Sequence, residues 1–210
     1  MIHDQGWIVG MQISGPLVMS VYFLIFALVH SLLADPGFKR RARSIIGTAF
    51  DRWQRLAYNL LATIMTLPFL FILVFLPGRT LYLIPTPWIC IMAGGQLLLA
   101  IALLLTLRQT GAGSFLGLSQ IWHEGGTAGG SGLVTTGFYS RTRNPLFLFA
   151  VLILWLSPLM TESLLAFNIL TTAYFYFGAK HEEKTLAELF GEEYDEYRRR
   201  VPMFMPRLRA

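Results

Sequence analysis

An arginine, an asparagine and a proline follow one another at Arg143, Asn144 and Pro145, directly before a long apolar run. Proline has no amide hydrogen and a fixed φ, which suits the first turn of a helix and disfavours helix at the preceding residue. We therefore predict that a helix begins at Pro145. The free amides of its first turn, together with Arg141 and Arg143, would attract an anionic or polar ligand group. The motif predicts the rim of a ligand site.

Two adjacent carboxylates, Glu182 and Glu183, lie where the last apolar run gives way to a polar segment. Neighbouring side chains on a helix point about 100° apart, so at most one of these carboxylates faces a given site. A carboxylate in this position suits an ammonium group or ribose hydroxyls. The alternative is an ordinary solvated helix end, and the sequence leaves open which of the two residues faces the site.

The segment from Arg108 to Asn144 contains 9 of the 19 glycines of the chain and shows no clear periodicity. A loop of this length in a compact protein is usually functional or disordered. One alanine separates Gly111 from Gly113, a spacing found where a backbone approaches a ligand, although a glycine after a helix is more often a cap. Backbone amides of this segment would add donors to the predicted site.

Membrane-spanning helices are predicted to position these residues. The chain is 54% hydrophobic and 14% charged, its mean hydropathy is +0.54, and its charges cluster between long uncharged stretches. About 20 residues cross the hydrocarbon of a bilayer. We predict an all-α integral membrane protein, a single domain over 1–210 with five transmembrane helices. The predicted spans are 16–34, 56–76, 85–107, 145–160 and 163–179.

The basic residues predict the orientation of these spans. Of the 17 Lys and Arg residues, all but Arg79 fall in the first and third connections between spans or after the fifth span. By the positive-inside tendency the N-terminus is outside, and the segments 108–144 and 180–210 are cytoplasmic. We predict a multi-pass protein of a bacterial inner membrane with its site facing the cytoplasm. The net charge of +5 then reflects topology and contact with the lipid bilayer, and no motif for nucleic acid is visible.

The polar stretch from Lys180 to Arg200 carries apolar residues at helical spacing, which predicts a cytoplasmic amphipathic helix with a break at Gly191. Its apolar stripe has to cover a surface of the protein. The glycine-rich segment, the Arg-Asn-Pro helix start, the glutamate pair and this helix would then meet on one membrane face. The single cysteine, Cys90, lies inside the third span, so we expect neither an internal disulfide nor a metal site.

The order and spacing of the motifs in the second half resemble the isoprenylcysteine carboxyl methyltransferase and phospholipid methyltransferase superfamily. In the first half, two stretches resemble its methanethiol methyltransferase and denitrification-associated branch: His30-Ser31-Leu32-Leu33-Ala34, and Arg52-Trp53-Gln54-Arg55-Leu56 followed by Tyr58-Asn59. The matching stretches of the second half are Val134-Thr135-Thr136-Gly137-Phe138-Tyr139, Arg143-Asn144-Pro145-Leu146-Phe147, Glu182-Glu183-Lys184-Thr185-Leu186, Phe190-Gly191, Tyr194, Tyr197 and Val201-Pro202.

This resemblance implies a five-helix membrane bundle with a cytoplasmic pocket for S-adenosylmethionine. We predict Arg143 and Glu183 as catalytic residues: Arg143, or Arg141, would favour an anionic acceptor, and Glu183, or water, would take the proton of an amine. The usual Arg-His-Pro is Arg-Asn-Pro here, and Asn144 forms hydrogen bonds but does not titrate near neutral pH, so we expect it to orient its neighbours by hydrogen bonding and not to transfer a proton. The usual Gly-Pro-Tyr is Gly-Phe-Tyr here. The residues implied to bind the cofactor are Gly111, Gly113, Val134, Gly137, Tyr139, Asn144, Pro145 and Glu182.

Methyl transfer from a sulfonium requires donor and acceptor to be held in line in a dry pocket. A small or lipophilic thiolate or carboxylate acceptor needs little further help, and an arginine favours its anionic form, whereas an amine has to lose a proton first. The alternative function is a non-enzymatic membrane protein, a haem-handling or transport component that uses His30, His123 and His181. No two of these histidines share a helix face, which favours the methyltransferase.

Overall fold

The computed structural model describes residues 14–47, 49–110 and 132–205. Over these ranges the chain is mostly helical, with two short strands. The elements are α1 (Gly15–Ala34), α2 (Pro36–Ile46), α3 (Ala49–Phe75), β1 (Thr80–Leu83), α4 (Trp88–Gln109), a 3-10 helix (Gly137–Ser140), α5 (Pro145–Trp155), β2 (Leu159–Thr161), α6 (Glu162–Phe190) and α7 (Glu192–Arg200).

Within the described ranges, three helical segments are long and apolar enough to cross a membrane: Gly15–Ala34, Leu56–Phe75 and Trp88–Gln109. Large apolar side chains on them face outward, such as Leu28 at 71% exposed and Leu98 at 69% exposed. Contiguous apolar surface of this kind marks contact with lipid or a partner, and on helices of this length it identifies an integral membrane protein. α5 has 11 residues and rises only about 16 Å. The five-span topology and the outside N-terminus stay predictions.

The helix bounds depart from the predicted spans in three places. α3 begins at Ala49, well before the predicted start at 56, and α5 ends at Trp155 instead of continuing to 160. α6 runs without interruption from the last apolar stretch to Phe190, so Lys180 does not begin a separate helix. The Lys, Glu, Leu and Ala residues that follow the apolar stretch are good helix formers and extend α6. The break comes at Gly191, where φ is 54°.

The all-α prediction is wrong for one small sheet. β1 and β2 pair antiparallel, with Thr80 opposite Thr161. Strands of three and four residues are too short for their alternation to stand out in a sequence. Beside the sheet, Nε of Arg79 donates to Oε1 of Glu162 at 2.7 Å. The sheet ties the connection after α3 to the start of α6, at the opposite end of α6 from Glu183.

An apolar cluster between α1, α3 and α6 holds the bundle together. α1 begins in close contact with the other two helices, because a Cβ at Gly15 would collide with the Leu76 carbonyl oxygen and with the Ser163 hydroxyl. Edge-to-face and tilted aromatic pairs, which add to the stability of a core, cross this interface. The buried members of the cluster are Met19, Phe23, Phe69 and Ile72.

A second cluster packs α7 against the far end of α6. Tyr194 and Tyr197 of α7 are buried together with Val201, which follows the helix. They contact Phe190 at the end of α6 and Leu133, which precedes the 3-10 helix. This packing brings the segment after α7 onto the residues that the sequence predicts as a site.

Candidate functional site

The helix predicted to begin at Pro145 does begin there. Asn144 lies outside the helical region, with φ −124° and ψ 58°, as expected for a residue before proline. Both residues are buried. Thr142, also buried, donates from its hydroxyl to the Met203 carbonyl oxygen at 3.0 Å. The start of α5 is therefore covered by the chain's own C-terminal segment.

The Arg143 side chain forms four hydrogen bonds. Its Nε and Nη2 donate to the two carboxylate oxygens of Glu183 at 2.8 and 3.0 Å. Its Nη1 donates to the carbonyl oxygens of Arg198 and Val201, both at 2.9 Å. These bonds use most of the guanidinium's capacity, which is about five N–H donors. The side chains of Arg143 and Glu183 are only 10% and 14% exposed, and a bidentate pair in such a setting is a strong, geometrically specific contact.

Asn144 completes this network. Its Nδ2 donates to Oε1 of Glu183 at 3.1 Å and to the Met203 carbonyl oxygen at 3.3 Å. Its backbone amide donates to the same carbonyl at 3.2 Å. We call the side chains of Arg143, Asn144 and Glu183, together with residues 201–203, the anchor. The anchor fastens the C-terminal segment to the start of α5 and to the end of α6.

Glu182 has a different environment from its neighbour. Its side chain is reached by solvent and forms no hydrogen bond or ion pair with any residue in the ranges that the structure describes. Protein atoms crowd its other sides, so desolvation raises the pKa of its carboxyl, and the charge of Glu183 raises that pKa further. Glu182 therefore presents acceptor atoms that have no partner among the described residues, which suits a ligand with hydrogen-bond donors or a positive charge.

Tyr139, on the 3-10 helix, lies beside Glu182. Burial raises the pKa of the Tyr139 phenol, and the charges of Glu182 and Tyr197 raise it further. The Tyr197 hydroxyl donates to the Tyr139 carbonyl oxygen at 2.7 Å, which fixes the 3-10 helix against α7. Gly137 begins this helix with φ 63°, and a Cβ there would collide with the Gln109 side chain at the end of α4. Glycine thus allows the segment to pack directly on α4.

The structure brings most of the sequence-predicted residues into two adjoining groups. Arg143, Asn144 and Glu183 form the anchor, and Gly137, Tyr139 and Glu182 lie next to it. Pro145 is buried beneath the anchor, and Val134 is half-buried. Gly111 and Gly113 lie outside the described residues. The roles of all these residues toward a ligand stay predictions.

Sequence reasoning missed the partners of the anchor on the C-terminal segment. Arg143 and Asn144 donate to main-chain carbonyls, which leave no side-chain pattern to detect. The only local signal is Pro202, which disfavours helix at the residue before it and so predicts an extended segment after α7. Within the described ranges, no group of three or more His, Cys, Asp or Glu side chains could hold a metal ion.

Comparison with known proteins supplies the family. No family model and no solved structure matches the chain. Methanethiol S-methyltransferase 2 of Bradyrhizobium diazoefficiens is 34% identical over 203 residues, an alignment that covers 92% of this chain and 74% of the relative. Methanethiol S-methyltransferase of Pseudomonas sp. is 28% identical over 198 residues, covering 91% and 73%. That of Crocosphaera subtropica is 42% identical over 72 residues, covering 34% and 28%. The chain belongs to the methanethiol S-methyltransferase family, the isoprenylcysteine carboxyl methyltransferase-like branch that its motifs predicted.

Proposed function

We propose that this methyltransferase transfers the methyl group of S-adenosylmethionine to a small or lipophilic thiol at the cytoplasmic face of the membrane. Its family supports the reaction class, and the names of the relatives support a thiol as the acceptor. The observation that carries the proposal is the Glu182 carboxylate, which is exposed beside Tyr139 and unpaired within the part of the chain that the structure describes. A carboxylate of this kind is available to a cofactor.

The chemistry of Glu182 fits S-adenosylmethionine. That cofactor carries ribose hydroxyls and an ammonium group, and a carboxylate accepts charge-assisted hydrogen bonds from either, worth about 1.5 to 3 kcal/mol each. Tyr139 adds an aromatic face next to the carboxylate, which suits a flat ring or a cation. When bound, the cofactor supplies an activated methyl group on a sulfonium sulfur. Glu182 and Tyr139 would hold and orient it.

In this proposal Arg143 and Glu183 hold other parts of the site in position. Four hydrogen bonds commit the guanidinium to Glu183 and to the carbonyls after α7, so the pair keeps the start of α5 and the C-terminal segment in place around the cofactor. Asn144 serves the same purpose, because a neutral amide that bridges Glu183 and Met203 needs no titratable proton. The sequence-based prediction that Arg143 and Glu183 are catalytic is not tested by these contacts.

A thiol acceptor is consistent with such a site. A thiolate is an intrinsically strong nucleophile, so the protein has mainly to position it and to exclude water. Apolar helices that face lipid also give a lipophilic thiol a route from the bilayer. The non-enzymatic alternative, a haem-handling or transport component, is not favoured, because the relatives are methyltransferases.

Methyl transfer by the purified protein tests this function. The protein in nanodiscs is given S-adenosylmethionine with a radiolabelled methyl group and methanethiol, and we expect labelled dimethyl sulfide that saturates with both substrates. Glu182→Gln should lose most activity at a subsaturating cofactor concentration. Glu188→Gln is the matched control, since Glu188 is on the same helix and 69% exposed. Failure to bind the cofactor contradicts the reaction class; cofactor binding without methylation of any thiol contradicts the acceptor.

A further inference from the structure

A cleft of about 630 Å³ lies between α1, α2 and α3, at the end of α1 that leads into α2. Its volume falls within the range of about 300 to 1,000 Å³ that is typical of pockets for small organic ligands. Most of its wall is apolar, and Leu33, Phe50, Leu61 and Ala62 contribute to it. A methanethiol molecule would fill only a small part of this space.

The polar end of the cleft is a connected group of side chains. The Tyr58 hydroxyl and Nε2 of His30 are hydrogen-bonded to each other. The His30 ring lies 6.1 Å from the ring of Tyr174 on α6, and the Tyr174 hydroxyl shares a hydrogen bond of 3.2 Å with Ser31. Ionisable residues within membrane helices are rare and usually mark a functional path or site. None of these contacts includes Glu182 or a residue of the anchor.

Gln54 adds an unused acceptor to the same cleft. Its Oε1 is buried and has no hydrogen-bond partner among the residues that the structure describes. A buried acceptor without a partner is costly, so a ligand that donates a hydrogen bond is stabilised there. The S–H group of a thiol is a donor, whereas an ionised lipid phosphate offers only acceptors. A thiol can therefore satisfy Gln54, whereas the cationic Lys39, which also lines the cleft, is the side chain that a phosphate would contact.

We propose that this cleft is the acceptor site, and that the acceptor class includes thiols with alkyl or aryl groups larger than methyl. The S–H group lies toward Gln54 and Tyr58, and the apolar part lies among Leu33, Leu61 and Ala62. This inference rests on the thiol methyltransferase function proposed above and names its acceptor class.

The motifs of the first half of the chain lie at the cleft, and those of the second half lie at the proposed cofactor site. His30 and Leu33 belong to the first N-terminal stretch that resembles the methanethiol branch, and Gln54 and Tyr58 belong to the second. All four line the cleft. The second-half motifs shared with the wider superfamily surround Glu182 instead. A branch-specific acceptor site and a common cofactor site would produce this division.

α6 connects the cleft with the proposed cofactor site. Tyr174, which contacts His30, and Glu182 are both on this helix, about 12 Å apart along its axis at about 1.5 Å per residue. No α6 residue is among the described residues that line the cleft, so the two sites are linked through the contact of Tyr174 with the cleft residue His30.

Acceptor kinetics with thiols of increasing length test this proposal at saturating S-adenosylmethionine. Hexanethiol should be methylated by the wild type. Ala62→Phe narrows the apolar part of the cleft, so the KM for hexanethiol should rise about tenfold or more, and that for methanethiol much less. Ala93→Phe is the matched control, because Ala93 is exposed on α4. Equal effects of the two substitutions on the hexanethiol KM would overturn the proposal.

A second variant probes the polar end without changing its size. Tyr58→Phe removes one hydroxyl and should raise the KM of every thiol by about two- to tenfold, while the Kd of S-adenosylmethionine stays unchanged. Tyr82→Phe, on the exposed β1, should change neither. An unchanged acceptor KM in Tyr58→Phe, or a phospholipid that co-purifies in the cleft and is not displaced by thiols, overturns the proposal. A wild type that methylates no thiol is a different result and refutes the proposed function itself.

Discussion

Glu182 and Glu183 are neighbours with the same chemistry and opposite environments. Glu183 is 14% exposed and receives hydrogen bonds from Arg143 and Asn144. Glu182 is exposed and unpaired within the described ranges, and desolvation together with the charge of Glu183 raises the pKa of its carboxyl. In this acidic pair on one helix, one carboxylate is thus paired within the fold while the other has no partner among the described residues.

The same contrast extends to the groups around the two glutamates. In the anchor, charged and polar side chains pair with each other or with main-chain carbonyls, which is what a desolvated ion pair needs to be stable. Beside it, the Tyr197 hydroxyl fixes Tyr139 through the Tyr139 carbonyl oxygen, and the Tyr139 phenol is near enough to Glu182 for the charge of that carboxylate to raise the pKa of the phenol. Substitutions in the anchor should therefore change stability first, and substitutions at Glu182 should change binding first.

Arg143→Ala should have the largest effect on stability. It leaves the Glu183 carboxylate desolvated without its partner, and removing one member of such a pair costs about 3 to 5 kcal/mol of unfolding free energy. Chemical unfolding of the protein in detergent measures the loss. Arg141→Ala is the control, since Arg141 is exposed two residues away and its removal should cost no more than about 0.5 kcal/mol. Equal stability of the two variants would show that the anchor does not hold the fold.

Asn144 provides the next test of the anchor. Asn144→Ala removes a hydrogen bond to the ionised Glu183, so we expect a loss of about 1.5 to 3 kcal/mol in the same unfolding measurement. Asn144→Asp should be worse than Asn144→Ala, because it places a second negative charge beside Glu183. Asn144→His should retain part of the stability, since one ring nitrogen can donate. An Asn144→Asp protein more stable than Asn144→Ala would mean that this position does not face an ionised Glu183.

The pH dependence of cofactor affinity separates the two glutamates in another way. The raised pKa of Glu182 means that its carboxylate takes up a proton at a higher pH than an ordinary carboxyl. Because the ionised form is the one that binds, affinity for S-adenosylmethionine should fall on acidification through that pKa, by at most about tenfold per pH unit. Isothermal titration over a pH series measures this. In Glu182→Gln this pH dependence of the affinity should disappear. If the variant keeps the pH profile of the wild type, the group that titrates is not Glu182.

Tyr197→Phe should have the smallest effect. It removes the hydroxyl that donates to the Tyr139 carbonyl oxygen and leaves the packing of the ring in place. We expect a loss of about 0.5 to 1.5 kcal/mol in unfolding free energy. A larger change in cofactor affinity than in stability would indicate that Tyr197 positions Tyr139 for the ligand as well as for the fold.

Local patterns in the sequence predict those structural features that are determined by residues close together in the chain. The start of α5 at Pro145 and the three long apolar helices are confirmed, because a proline and an unbroken apolar stretch determine local conformation directly. The pairing of Arg143 with Glu183 joins residues 40 positions apart, and no periodicity contains that information. The sequence identified both members as site residues without showing that they contact each other.

The remaining differences have equally physical causes. β1 and β2 are too short to produce a detectable alternation, and their pairing depends on where α3 and α6 bring them. α6 continues through Lys180 because helix-forming residues tolerate the change from an apolar to a polar setting. The polar group around His30 could be named residue by residue, but the cleft that joins it to Gln54 arises only from the packing of three helices.

S-adenosylmethionine binding by Glu182→Gln and Glu183→Gln, measured together with their unfolding, tests the central claim most directly. Glu182→Gln should raise the Kd by about 10- to 150-fold, since it removes a charge-assisted contact. Its unfolding temperature at neutral pH should not fall, because a carboxyl with a raised pKa lowers stability as the pH rises through that pKa, and the amide removes this effect. Glu183→Gln should lower the unfolding temperature instead. A Glu182→Gln protein that binds the cofactor within about twofold of the wild type would contradict the assignment of the free carboxylate to the cofactor.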